Sequence, residues 1–199
     1  GYGAIVLTVD LPYPGNRERD LRNDFAVGIG AHLPPDQPVD PETGIVVVPS
    51  MDWDGLAWLR SVCSIPLIVK GVLRADDAAR AVEAGCDGVW VSNHGGRQLD
   101  TAIAPIDALP AIAAAIGEAA LLVVDGGVRR GIDVLKGLAL GADLVAVGRP
   151  ALWGLAVDGA GGVQRVLEIL RDELSLAMAL AGCRSIGEIT PDLVEVSPG

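Results

Sequence analysis

The stretch LLVVDGGVRRGIDVLKGLALGADLVAVGRP, residues 121–150, decides the fold. It opens on an apolar run, LLVVDGG (121–127), and passes into a helical pattern, GIDVLKGLALG (131–141). It then returns to a second apolar run, LVAVGRP (144–150). Neither run alternates apolar and polar residues, which suits strands of a parallel sheet buried on both faces. The glycine closing the helical pattern is a usual C-terminal stop. Strand, helix and strand in this order make one βα repeat.

The same cadence extends upstream. Three further apolar runs are AIVLTVD (4–10), PLIVK (66–70) and GVWVSN (88–93). Helical patterns lie at DWDGLAWLRSVC (52–63), ADDAARAVEAG (75–85) and PIDALPAIAAAIG (105–117), and a last one at GVQRVLEILRDELSLAMALAG (162–182). In 75–85 the two aspartates occupy the first turn, where the helix dipole favours them. The last four strands each lead into a helix, which implies a parallel α/β sheet. Two closures compete, an open doubly wound sheet and a TIM (β/α)8 barrel. No GxGxxG follows the first strand, which weakens the dinucleotide-binding reading and favours the barrel. Five strands do not close a barrel of the usual kind. The expectation is therefore one barrel domain over 1–199, N-terminally incomplete, holding the C-terminal five βα units. The start fits that expectation: Gly1-Tyr2-Gly3 runs at once into a strand, with no initiator Met or signal peptide.

Residues 26–50 break the cadence. They hold five prolines and no helical period, and read as a long loop, a candidate active-site lid. His32 lies there and is assigned no role.

Composition narrows the function classes. Half of the 199 residues are apolar and 21% are charged, enough to bury a core and too few charges for disorder. The formal net charge of −11 and the lack of a basic stripe argue against nucleic acid. Cys63, Cys86 and Cys183 are an odd set without metal-type spacing, and read as reduced thiols of a cytoplasmic protein. The longest apolar candidate for a membrane span, 102–124, is interrupted by Asp107, Pro110 and Glu118.

Barrel chemistry gathers at the C-terminal ends of the strands. Those ends read Thr8-Val9-Asp10 with Arg17 beyond, then Lys70, then Ser92-Asn93-His94-Gly95-Gly96-Arg97. The last two are Asp125-Gly126-Gly127 with Arg129, and Gly148-Arg149-Pro150. Only 15 residues are Lys or Arg, yet each end has one nearby, so the rim should be locally positive and its ligand anionic. The last two ends offer uncrowded backbone N–H groups and two guanidinium forks, the usual phosphate site of a barrel, or else simply tight turns. Lys70 either snorkels to solvent or holds charge beside a group gaining electrons. His94 is either a hydrogen-bonded rim histidine or a general base, with Asp10 to orient its ring. Arg97 and Arg17 have the geometry to grip a carboxylate.

At these residues the chain resembles the FMN-dependent 2-hydroxy-acid oxidases and dehydrogenases, the group of glycolate oxidase, lactate oxidase and mandelate dehydrogenase. The resemblance runs through LTVDLPYPGNRERDLRN, VKGVLRADDAARAVEAGCDGVWVSNHGGRQLD, VVDGGVRRGIDVLKGLALGADLVAVGRP and MALAGCRSIGEIT. It covers most of the chain outside 26–50. It implies His94 as catalytic base with Asp10 as partner, and Arg97 and Arg17 on the substrate carboxylate. Thr8 and Ser92 would contact the flavin ring and Lys70 would stabilise its reduced form. Asp125 would hold the ribityl chain, and Gly126, Gly127, Arg129, Gly148 and Arg149 would complete the FMN site. The implied reaction oxidises an L-2-hydroxy acid to the 2-oxo acid, passing electrons to FMN and then to oxygen, a quinone or a cytochrome. Family members are often homo-oligomers, tetramers among them. Proton removal from the hydroxyl group with hydride transfer, and from the α-carbon to give a carbanion, both remain open. Two other readings stand beside it: a different phosphate-binding barrel, such as the IMP dehydrogenase or type 2 isopentenyl diphosphate isomerase groups, and a non-catalytic fragment keeping only the phosphate cradle.

Overall fold

The computed structural model describes residues 1–13, 15–25 and 51–195. The loop read over 26–50, its lid role and His32 lie outside the described residues. Five strands form one parallel sheet: β1 (Ile5–Thr8), β2 (Leu67–Val72), β3 (Gly88–Val91), β4 (Leu121–Val124) and β5 (Leu144–Val145). They lie side by side in chain order. A doubly wound sheet reverses its order at a switch point. This sheet does not, so the competition between the two closures goes to the barrel wall.

Helices α3 (Ala75–Glu83), α4 (Pro105–Ile116) and α5 (Gly131–Ala139) fill the connections between β2 and β5. Before β2 come a short α1 (Glu18–Arg22) and α2 (Trp53–Val62), whose first turn is capped by the Asp52 carboxylate accepting from the Gly55 amide at 2.9 Å. After β5 runs α6 (Arg149–Leu180), broken at Asp158 and Gly159 into two arms. A Cβ at Gly154 would collide with the Gly162 carbonyl, and one at Gly162 with the Gly154 carbonyl, so the arms touch backbone to backbone. Among the described residues no helix is long and apolar enough to cross a membrane.

The main core lies between sheet and helices. Leu67, Val69, Val89, Val91, Leu122 and Val124 pack with Ala78 and Ala81 of α3 and Leu109 and Ile112 of α4. Each fully buried large side chain there stabilises the fold by about 2–3 kcal/mol. A second cluster joins Leu135 and Ala139 of α5 to Leu174 and Met178 of α6 and to Cys183 and Ile189. The strands are not equally buried on both faces, as their apolar runs suggested. In β2, Leu67 and Val69 are buried while Ile68 and Lys70 are only partly buried, and Val6 of β1 is exposed. Apolar residues on the half-open face hide the alternation that is present in burial.

A repeated turn sets the register. Asp87 and Asp143 each precede a strand, and their carboxylates accept from amides at the start of the neighbouring strands, Leu67 at 2.9 Å and Leu122 at 2.8 Å. Gly85 and Gly141, two residues upstream of each, take φ of 89° and 105°, which only glycine adopts cheaply.

Candidate active site

The C-terminal ends of β2 to β5 enclose a cleft of about 560 Å³. Lys70, His94, Arg97, Asp125, Gly126, Gly127, Arg129, Gly148 and Arg149 all line it. Asp10 and Ser92 stand behind these, bonded to His94 and Lys70. Thr8 pairs in register with Lys70 but does not line the cleft, and neither does Arg17. Four cationic side chains against one carboxylate make this an anion site in a protein of net charge −11.

The end formed by the last two strands is a cradle of backbone amides. Gly126 and Gly127 follow β4 with φ of 91° and 80°, a conformation that turns the chain sharply. Nothing lies within 4 Å of a Cβ placed on Gly127 or Gly148, so a ligand can approach the main chain. The amides of Gly126, Gly127 and Gly148 donate to no protein acceptor among the described residues. Gly148 is the N-cap of α6 and offers no side chain, leaving the first turn of that helix open to an anion. The start of α5 is different. Asp133 accepts from the amides of Arg129 and Arg130, each at 2.9 Å, and Glu173 of α6 accepts from the Gly131 amide at 2.9 Å. Arg130 reinforces that contact through an ion pair of 2.9 Å with Glu173. The Arg130 hydrogen bond, with that from Gly131, holds the Glu173 carboxyl below its usual range. Of the two helix starts, only that of α6 is free for a phosphate. The Arg129 guanidinium stacks 4.8 Å over the Trp153 ring, which limits its freedom beside the cradle.

The other end is a side-chain site. His94, Gly95 and Gly96 take φ of 57°, 67° and 72°, three left-handed residues in a row. For His94 this is strained backbone, held by the His94 amide donating to Ser92 Oγ at 3.1 Å and by the Gly96 amide donating to Asn93 Oδ1 at 3.1 Å. The turn presents the His94 ring to Asp10, with Nδ1 3.2 Å from Oδ1. A carboxylate only accepts, so Nδ1 donates to Asp10, which leaves Nε2 as the acceptor of the neutral ring. The other Asp10 oxygen is buried without a partner. Arg149 ties the two ends together, its Nη2 donating to the Gly95 carbonyl at 2.9 Å.

The expected carboxylate anchors are engaged by protein groups. Arg97 Nη2 pairs with Asp20 Oδ2 at 2.9 Å. Arg17 Nη2 donates to Gln98 Oε1 at 3.4 Å, and its Nε is buried without a partner. An incoming carboxylate must displace Asp20 to take both arms of Arg97.

Several site residues escaped the reading of the sequence. Gly71 takes φ of 104° at the bulge in β2, and a Cβ there would lie 2.6 Å from the Asp10 side chain. A glycine inside the run VKGV was a signal for such close approach. Gln98 donates to the carbonyls of Asp10 and Tyr13, each at 3.1 Å. Trp90 lines the cleft and donates from Nε1 to Asp125 Oδ2 at 3.1 Å. A buried indole N–H generally needs such a partner.

The cleft suits FMN on its own chemistry. It supplies open amides and two guanidinium groups for a phosphate. Asp125 Oδ1 is buried without a partner and would accept from a hydroxyl group.

Comparison with known proteins agrees. Residues 1–196 match the FMN-dependent dehydrogenase family. The L-lactate oxidase of Nostoc sp. is 50% identical, covering 95% of this chain and 56% of that protein. The 2-hydroxyacid oxidase 1 of Mus musculus is 48% identical, covering 100% of this chain and 58% of that protein. A crystal structure of mandelate oxidase with (S)-2-phenylpropionate superposes with a TM-score of 0.82 at 43% identity, over 96% of this chain and 54% of that one. A mandelate oxidase variant carrying a C4a-OH-FMN adduct superposes equally well, with a TM-score of 0.82. The chain thus spans a little over half the length of the relatives it matches.

Proposed function

Because this chain belongs to the FMN-dependent dehydrogenase family, we propose that it is the catalytic part of an enzyme that oxidises an L-2-hydroxy acid to the 2-oxo acid. The observation that carries this reading is the His94–Asp10 pair of 3.2 Å on the same cleft as the amide cradle. FMN, when bound, supplies the two-electron acceptor. The protein's groups then divide the remaining work. Gly126, Gly127, Gly148, Arg129 and Arg149 hold the phosphate, and Asp125 holds the ribityl chain. Lys70, with Thr8 and Ser92 beside it, places positive charge at the ring. Arg97, with Arg17, orients the substrate carboxylate. His94 accepts one substrate proton at Nε2, from the hydroxyl group or from the α-carbon. Asp10 keeps Nδ1 protonated and steadies the imidazolium that results.

Oxygen is the acceptor that the similarity to oxidases supports, with a quinone or cytochrome as the other outcomes. Three free thiols support a reducing compartment such as the cytoplasm, although one rice relative is described as peroxisomal. Exposed Leu152, Val157 and Leu180 on α6 support self-association, a homo-tetramer being the first expectation for sedimentation to check.

The experiment is an absorption spectrum of the purified full-length protein before and after anaerobic addition of L-lactate, glycolate or mandelate. Flavin bands that bleach support the proposal. A colourless protein that takes up no added FMN overturns it. The non-catalytic reading predicts flavin bands that none of the three acids bleaches.

A further inference from the structure

We propose that Trp90 is a positioning residue: its indole N–H fixes Asp125 and keeps it from closing a direct hydrogen bond with Lys70, so that the carboxylate and the ammonium both line the cofactor cleft. The inference rests on the FMN reading above and extends it to a residue with no part in substrate chemistry.

Three groups meet here. Trp90 stands between Lys70 and Val123 in the register of the sheet, one strand away from each. Its Nε1 donates to Asp125 Oδ2 at 3.1 Å, and the Lys70 ammonium lies 5.6 Å from its ring centroid. Lys70 Nζ and Asp125 Oδ2 are 3.6 Å apart. A lysine and an aspartate this sheltered, at 16% and 18% side-chain exposure, would ordinarily close to a charge-assisted hydrogen bond of about 2.8 Å. They do not close because each is engaged elsewhere. Lys70 donates to Ser92 Oγ at 3.0 Å, and Ser92 is fully buried and fixed by the His94 amide. Asp125 Oδ2 is taken by the indole, which leaves Oδ1 buried and without a partner.

A plainer explanation is that Trp90 only fills the interior of the wall. Phenylalanine would fill much of the same space and offer no hydrogen. The two explanations therefore separate at Trp90→Phe. Without the indole N–H, Asp125 turns onto Lys70. The ribityl acceptor is lost from its place, and the positive charge beside the ring is screened further.

The test uses the full-length protein. Trp90→Phe should bind FMN about tenfold more weakly, the loss of one well-placed hydrogen bond to a charged group. The midpoint potential of its bound FMN should be more negative than in the parent, because a cation paired more closely with Asp125 favours the reduced anionic ring less. Trp90→Leu should move both quantities the same way. An unchanged affinity and potential, with only a lower melting temperature, would overturn the proposal, as would a potential that rises. A cofactor-free measurement separates this from failure of the FMN reading. In the 15N-labelled protein the Trp90 indole cross-peak, assigned by its loss in Trp90→Phe, should move upfield in Asp125→Ala. A peak that stays in place overturns the hydrogen bond whether or not the protein takes up FMN.

Discussion

The two ends of the cleft are built in opposite ways. The cradle end is built from short turns: Asp133 holds the amides of Arg129 and Arg130, four and three residues away, and glycines set the backbone, with Glu173 bracing Gly131 from 42 residues on. The base end is assembled across the chain: Asp10 meets His94 over 84 residues, Asp20 meets Arg97 over 77, and Gln98 reaches Asp10 over 88. A site of backbone amides is fixed as soon as its own turn forms. A site of converging side chains needs the whole wall in place. The cradle should therefore govern FMN affinity and tolerate changes at the rim, while the rim governs chemistry without affecting FMN retention. Arg149 touches both through the Gly95 carbonyl, and Lys70 joins them again between Ser92 and Asp125.

The largest expected effect lies at the rim. His94→Gln removes the proposed base and keeps a similar polar volume. Anaerobic stopped-flow reduction of the flavin should slow by about 10²–10⁴-fold, the usual range for a general base. FMN affinity should stay within about twofold of the parent. A comparable loss of both would break the division between the two ends.

Arg97→Lys should come next. The lysine keeps the charge but loses the fork, so KM should rise about tenfold or more with little change in FMN binding. The ion pair with Asp20 sharpens this, since a substrate carboxylate on Arg97 would compete with an internal one. Asp20→Asn should lower KM where Arg97→Lys raises it, and steady-state kinetics on both variants reads the contrast.

At the cradle the sign reverses. Gly127 has φ of 80°, and an alanine there is strained by about 1–2 kcal/mol while meeting no neighbouring atom. Gly127→Ala should weaken FMN binding about tenfold in a fluorescence titration. The reduction rate of the FMN that remains bound should be nearly unchanged.

The smallest effect concerns the support behind the cradle. The Arg130 and Gly131 contacts lower the Glu173 carboxyl pKa in the folded protein. Its contribution to stability is then fully present above the ordinary glutamate value and is lost as pH falls through the folded value. Melting temperatures of the parent and of Glu173→Gln should differ most near neutrality and converge in acid. A gap that widens in acid contradicts the assignment.

This contrast also explains what the sequence could tell. The cradle was legible because DGGVRRG and GRP are contiguous, and the turn chemistry of glycine acts locally. The strands fell where their apolar runs lie, although β5 is only Leu144–Val145 because the chain leaves it for Gly148 and α6. The first arm of α6 was missed. Four glycines between 154 and 162 obscure its helical period, and Pro150 at its start, an ordinary helix-opening residue, went unused. At the rim His94 and Asp10 were legible as a pair because each closes a strand at the same end of the sheet. Trp90, Gly71, Gln98 and Asp20 were not, because nothing local in a tryptophan or an aspartate names a partner that only folding brings near.

The most direct measurement is a crystal structure of the full-length protein with FMN and a bound 2-hydroxy acid. The account predicts the phosphate on the Gly127 and Gly148 amides beside Arg149, the ring beside Lys70, and His94 Nε2 within hydrogen-bond reach of the substrate. A phosphate seated at the start of α5, or a His94 ring turned away from the acid, would contradict it.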